Sequence, residues 1–177
     1  YQLCPTTIAE KDDIVALEIE SFPMDEAASP ETVLYRLTEA GTYFYTYRHL
    51  DGKELAGFVN GTCIHGDKIS HESMTNHDQD GRSLVIHSVT IKESLRRCKL
   101  GTAMLKVYVA RMKDEMSIDS LLLLSKANLL PFYIDCGFQV MRLSDISHGQ
   151  VCITHNANTM PALHKYYDST YLILIHG

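Results

Sequence analysis

Apolar residues recur along this chain in two periods, and the switches between them predict the elements. Glu10 to Glu20 sets Ile14, Val15, Leu17 and Ile19 among acids, the spacing of a helix with a broad apolar face. Phe22-Pro23 ends it. Ser29-Pro30-Glu31 reads as a second helix start, with a capping hydroxyl, a proline in the first turn and an acid at the positive end. That helix runs to Ala40, and Gly41 stops it. Thr42 to His49 is aromatic and β-prone, Asp51-Gly52 predicts a hairpin turn, and Glu54 to Ile64 predicts the returning strand. His65 to Arg82 is a polar stretch, long for a loop without structure of its own. Ser83 to Lys92 predicts a strand. Gly101 to Met116 predicts a helix with Met104, Leu105, Tyr108, Val109 and Met112 on one face. Asp119 to Ser125 predicts a buried strand, and Asn128 to Cys136 a short helix closed by Gly137. Phe138 to Leu143 and Thr170 to Ile175 predict the last strands; His148 to Asp168 carries no clear pattern. The order α-α-β-β-β-α-β-α-β-β predicts a mixed α/β domain, a central sheet with helices on its faces. With no repeat or linker, residues 1 to 177 are expected to form a single domain.

Composition narrows the partners. Hydrophobic residues are 45% and charged residues 21%, as in soluble globular proteins. A net charge of −6 argues against a nucleic-acid binder and is compatible with a cationic substrate. Five cysteines, an odd number with no CxxC pair, argue against a disulfide framework or a zinc site, so a reducing, cytoplasmic setting is expected. The longest apolar runs, Leu121 to Leu124 and Tyr171 to Ile175, are far too short to span a bilayer, so no membrane association is expected. No signal-peptide pattern is visible; a start at Tyr1 rather than Met is compatible with a trimmed leader. Asn60-Gly61-Thr62 matches a glycosylation sequon but falls inside a strand, which makes it a chance match. A monomer or weak dimer is expected.

The candidate chemistry lies between His87 and Thr102. A strand containing His87-Ser88-Val89-Thr90-Ile91 leads into the basic turn Arg96-Arg97-Cys98-Lys99-Leu100-Gly101-Thr102, which opens a helix. Such a turn gathers free backbone N–H groups at a helix N-terminus, a cradle for pyrophosphate. A histidine on the adjoining strand suggests a cofactor-using enzyme.

These residues resemble a known family. The strand, the Arg96-x-x-Lys99-x-Gly101 turn and the following helix resemble the acetyl-CoA motif of the GCN5-related N-acetyltransferases, Gln/Arg-x-x-Gly-x-Gly/Ala. Asn128-Leu129-Leu130-Pro131-Phe132-Tyr133-x-x-x-Gly137-Phe138 resembles their second signature, in the right order and with the expected strand between. Leu130-Pro131-Phe132-Tyr133 and Ile86-His87-Ser88-Val89 are similar to serotonin (arylalkylamine) N-acetyltransferases. Glu18 to Ser29, with His71-Glu72-Ser73-Met74-x-x-His77, looks like the non-vertebrate and fungal-type members, which include polyamine acetyltransferases. Two positions depart from the pattern. Lys99 stands where the cradle has its first glycine, and Val85 where vertebrate-type enzymes carry a second histidine, so a two-histidine proton relay is not carried over.

The resemblance implies the GNAT fold with a splayed strand at the acetyl-CoA site, and direct transfer of acetyl to a primary amine, an arylalkylamine or a polyamine. It implies Tyr133 as the acid at the CoA sulfur. For the base it leaves His87, whose imidazole type titrates near neutrality, and Glu26, in the loop that lines the amine site. Phe22, Pro23, Met24, Asp25 and Glu26 are the expected amine-site residues. Val89, Thr90, Ile91, Arg96, Arg97, Cys98, Lys99, Leu100, Gly101, Thr102, Asn128 and Tyr133 are the expected acetyl-CoA contacts, with a backbone N–H near Val89 as the oxyanion donor. His65, His71 and His77 with nearby acids match no metal spacing, so no metal is expected. The alternative readings are a protein N-terminal acetyltransferase and a catalytically silent acyl-CoA-binding module.

Overall fold

A computed structural model describes residues 1–114, 116, 118–144 and 171–176. The strands are β1 (Gln2–Pro5), β2 (Tyr45–Arg48), β3 (Leu55–Ile64), β4 (Ser83–Ile91), β5 (Ser120–Lys126), β6 (Gln139–Leu143) and β7 (Tyr171–His176). The α-helices are α1 (Lys11–Ser21), α2 (Pro30–Glu39), α3 (His71–Thr75), α4 (Leu100–Asp114) and α5 (Leu130–Asp135). The strands form one sheet in the order β1-β2-β3-β4-β5-β7-β6. Among the described strands β4 and β5 run parallel, and the other neighbours are antiparallel.

The expected mixed α/β architecture is present, and three of its features lie outside what the periodicity predicts. β1, which the periodicity missed, pairs with β2 at the sheet edge; four residues are too few to display an alternation. The polar stretch after β3 is not a bare loop: Ser70 caps α3 by accepting from the Ser73 N–H at 3.2 Å. β7 inserts between β5 and β6, a neighbour relation that no local pattern encodes. The segment from His148 to Asp168 lies outside the described residues.

Helices cover both faces of the sheet. α4 buries Met104, Leu105, Tyr108, Val109 and Met112, its predicted stripe, against Val59, Leu84, Ile86, Leu121 and Leu123. On the opposite face α1 and α2 bury Ile14, Leu17, Val33 and Leu37 over Phe58 and Phe44. Ser29 caps α2 as its sequence predicts, accepting from the Thr32 N–H at 3.2 Å. Asn60 and Thr62 are buried in β3, consistent with a chance sequon match.

The middle of β4 is irregular. Asn60 pairs with Ser88 and Gly61 with Ile86, so His87 is an extra residue on β4. Leu84 and Ile86 before it, and Val89 and Ile91 after it, all belong to the α4-side core. Without the extra residue, one of those pairs would face the other way. A Cβ at Gly61 would sit 2.6 Å from the Val85 carbonyl oxygen, so only glycine admits this close approach beside the bulge.

Candidate active site

The β4–β5 ladder joins Ser83–Ile86 to Ser120–Leu123 and ends there. Beyond it the strands part, and a cavity of 370 Å³ opens at the split. β4 contributes Ile86, His87, Ser88 and Val89; β5 contributes Leu123, Leu124, Ser125 and Lys126. α1 supplies Glu18, the loop after it Phe22, Glu26 and Ala28, α2 Thr32 and Arg36, and α5 Tyr133. A strand that loses its neighbour exposes backbone N–H and C=O groups on the open side, which places main-chain polarity against the cavity.

The bulge turns two consecutive side chains toward the α1–α2 face. His87 Nε2 lies 2.7 Å from the Thr62 hydroxyl, which sets the ring's orientation. The Ser88 hydroxyl donates to Glu18 Oε1 at 3.2 Å. The same oxygen accepts the Ala28 N–H at 3.0 Å, tying the loop after α1 to α1 and to β4. Burial pushes the Glu18 carboxyl above its ordinary value, opposed by the Ala28 N–H, the Arg36 charge and the Ser88 hydroxyl. Arg36 is buried too and donates to Asn60 Oδ1 at 3.3 Å; burial lowers its guanidinium to about 10, so it stays cationic at neutral pH.

Glu26 lines the cavity, but its Oε1 lies 2.6 Å from Lys126 Nζ, an ion pair between the loop and the end of β5. Tyr133 is buried against Phe132 and Phe138, with ring centroids 4.8 and 6.0 Å away. Burial, and then Cys136, push its phenol well above the ordinary range, so it keeps its proton at neutral pH. Phe22 lines the cavity. Pro23, Met24 and Asp25 do not: they are exposed, Met24 at 97%, and the apolar wall is formed instead by Phe22, Met74, Leu124 and Leu129.

The basic turn lies beyond the C-terminal end of β4. Arg97 and Lys99 both take left-handed backbone, at φ 65° and 60°. Lys99 therefore does not sit in an ordinary conformation where the motif has glycine; it carries about 1–2 kcal/mol of steric cost. Alternating left-handed residues before a helix turn successive N–H groups to one side, an anion-binding concavity. α4 starts at Leu100, adding its unpaired first-turn amides and the positive end of a 15-residue helix. The residues thus fit a pyrophosphate. Arg96 is a brace: it donates to the Ile91 carbonyl at 2.8 Å and to the Ser21 hydroxyl at 3.1 Å, fixing the turn to β4 and α1. Arg97, Cys98 and Lys99 are exposed, Leu100, Gly101 and Thr102 half-buried. Of the other expected contacts, Val89 lines the cavity and Ile91 packs toward α4. Thr90 is buried with its hydroxyl unpartnered among the described residues, and Asn128 is exposed on the turn before α5.

The matching family model is the Acetyltransferase (GNAT) family, aligned over residues 11–138. The chain belongs to this family. A curated relative, the serotonin N-acetyltransferase of Mesocricetus auratus, is 25% identical over 87 residues, covering 49% of this chain and 42% of that protein. Among solved structures, the GphF GNAT-like decarboxylase in complex with isobutyryl-CoA superposes with a TM-score of 0.78 at 16% identity, covering 99% of this chain and 98% of that one. A spermidine N-acetyltransferase chimera of Vibrio cholerae SpeG and hSSAT gives 0.67 at 11% identity, covering 99% and 93%. At these identities the structural likeness is one of fold.

Glu18, Arg36, Ser88 and Lys126 were not among the expected site residues. Two of them left a signal. Glu18 follows Ile14 and Leu17 on the buried stripe of α1, and Arg36 lies between Val33 and Leu37 on that of α2. A charge on an apolar stripe marks a buried partner. Among the described residues no three His, Cys, Asp or Glu side chains gather to hold a metal. His65 pairs with Asp78 at 3.2 Å, and His77 accepts the Cys63 N–H at 3.0 Å. No helix among the described residues is long and apolar enough to cross a membrane.

Proposed function

We propose that this chain is an acetyl-CoA-dependent N-acetyltransferase for a primary amine with an apolar body, of the arylalkylamine kind. The observation that carries the reading is the cavity at the β4–β5 split, which joins carboxylates, a histidine and a phenol to an apolar wall. The choice of amine rests on charge. The lining residues carry two carboxylates, Glu18 and Glu26, and two cations, Arg36 and Lys126, a net charge of zero, so the lining holds no surplus negative charge for the further ammonium groups of a polyamine. Phe22, Met74, Leu124 and Leu129 suit an aromatic or aliphatic body.

Bound acetyl-CoA would supply the acetyl group. The amides from Arg97 to Thr102, with the charges of Arg97 and Lys99, would hold its pyrophosphate. The Val89 N–H, on the open side of β4, would donate to the thioester carbonyl. His87 would accept the amine proton, because only the free amine attacks. Tyr133, a phenol protonated at neutral pH, would give its proton to the leaving thiolate and regain one from solvent.

The test is a panel of arylalkylamines, polyamines and N-terminal peptides with acetyl-CoA, followed by thiol release and product mass. Turnover greatest on arylalkylamines is the expected outcome. Polyamine-only or peptide-only turnover would overturn the substrate assignment. Binding of CoA with no release on any acceptor would favour an acyl-CoA-binding module.

A further inference from the structure

The two carboxylates of the cavity are not equivalent. Glu26 already holds a cation, Lys126, at 2.6 Å. Glu18 does not: no lysine, arginine or histidine nitrogen among the described residues forms an ion pair with it, and the guanidinium nearest in influence, Arg36, is turned to Asn60. Glu18 is 3% exposed. Its Oε1 is fixed by two donors, the Ala28 N–H and the Ser88 hydroxyl. Its Oε2 is buried and has no hydrogen-bond partner among the described residues. A buried carboxyl oxygen without a donor is costly, and native structures supply one wherever they can. Here the wall of the cavity is where a donor could arrive, since Glu18 lines it beside Ser88 and Ala28.

We infer that Glu18 is the ammonium anchor of the amine site, its Oε2 accepting an N–H of the incoming primary ammonium while Oε1 stays locked to Ala28 and Ser88. The inference rests on the amine-acetylation reading and deepens it. It assigns recognition of the charged amino group to a residue on α1, and leaves Glu26 engaged with Lys126. The anchor sits next to the reaction: Ser88, which holds Glu18, directly follows His87 in the bulge. An ammonium on Oε2 is therefore delivered beside the imidazole that would take its proton. No bond is made to Glu18; it orients the amine and gives it up when the nitrogen becomes an amide, which carries no charge.

The carboxylate form is needed for this role, so amine affinity should fall as acid protonates Glu18. Burial, which raises that carboxyl, brings the loss toward milder acidity. The other charged or titratable groups around the cavity are Arg36 from α2, His87 from β4, Lys126 from β5, Tyr133 from α5 and Glu26 from the loop.

The experiment compares wild type, Glu18→Gln and Ser88→Ala, using the amine turned over best by wild type and measuring KM for amine and for acetyl-CoA across pH. Glutamine keeps an acceptor for Ala28 and Ser88 but removes the charge. A rise of about tenfold or more in amine KM is expected, with acetyl-CoA KM unchanged and the acid-side loss of amine affinity abolished. In Ser88→Ala, which keeps the carboxylate but removes a donor to it, the acid-side loss should move to higher pH. This second variant decides the matter if Glu18→Gln does not fold. An amine KM within twofold of wild type in folded Glu18→Gln, an equal rise in both KM values, or an unmoved acid limb in Ser88→Ala would overturn the anchor. The amine-acetylation reading would survive each of these. That reading, and the anchor with it, falls only if wild type acetylates no amine.

Discussion

From Ser83 to Ile86, β4 is hydrogen-bonded on both edges, to β3 and to β5; from His87 to Ile91 it pairs, among the described residues, with β3 alone. The first half is wholly buried: Leu84 and Ile86 pack in the α4-side core with Leu121 and Leu123, and Val85 packs in a separate cluster with Leu122, Ile64 and Ile69. The second half alternates half-buried and buried positions and lines a cavity. One strand thus holds the fold with one half and presents the candidate chemistry with the other, and the His87 bulge is the junction. The difference shows how a sheet acquires a site. Two parallel strands are joined firmly at one end and parted at the other, and the backbone groups that lose their ladder become available to a ligand.

The separation of roles can be broken by substitution. His87→Ala should lower kcat about 10²–10⁴-fold, the usual contribution of a positioned base, with little change in melting temperature. A comparable fall in stability would mean that the imidazole's bond to Thr62 serves folding instead. Leu121→Ala, in the fully buried paired half, should do the reverse. It should cost about 2–5 kcal/mol of stability by denaturant unfolding, with kcat of the folded protein retained below the transition. Loss of turnover in the folded protein would show that the two halves are not independent.

The turn at the far end of β4 gives a smaller test. A Cβ at Gly101 would make only ordinary contacts, 3.4 Å from Phe132 and 3.5 Å from Ile91. Gly101→Ala should leave the free protein as stable or slightly more so, while raising the KM for acetyl-CoA about tenfold by crowding the cradle. An unchanged KM would remove Gly101 from the pyrophosphate site.

A charge test follows, with its sign set by burial. The Glu18 carboxyl is raised in the folded chain, chiefly by burial, so the folded form favours the proton. Its stabilising contribution is full below the unfolded carboxyl value and is lost as pH rises through the folded value. Glu18→Gln should therefore melt higher than wild type at neutral pH, and the gap should shrink in acid. A gap independent of pH would mean that Arg36 and the two donors fully compensate the buried charge. The smallest effect is expected from Lys126→Met. The Glu26 and Lys126 side chains are 18% and 36% exposed, and a partly exposed pair contributes about 0–1 kcal/mol. Thermal unfolding should barely move, so any large change in amine KM would report release of Glu26 into the cavity.

Much of this arrangement is legible in the chain. Ser29-Pro30 marks the start of α2 because capping is local, settled within one turn. The α4 stripe of Met104, Leu105, Tyr108, Val109 and Met112 is legible because burial follows the helical period. The basic turn and Leu130-Pro131-Phe132-Tyr133 announce the family because each of the two motifs it resembles fits in a few contiguous residues. The bulge also left a trace, the parity change from Leu84 and Ile86 to Val89 and Ile91. Left-handed backbone at Lys99 is not announced by the residue itself, since lysine does not ordinarily adopt it; only the glycine that the motif has at that place points to it.

By itself the sequence determined what is local or periodic: the main helices, the central strands, the basic turn before α4 and the family. Only the tertiary structure decided the partners. It set β7 between β5 and β6, brought Ser88 to Glu18 across 70 residues and Lys126 to Glu26 across 100. Those pairings follow from which faces pack and where two strands part, and no residue's own neighbours in the chain carry that information, because burial of a charge depends on what the whole fold places around it.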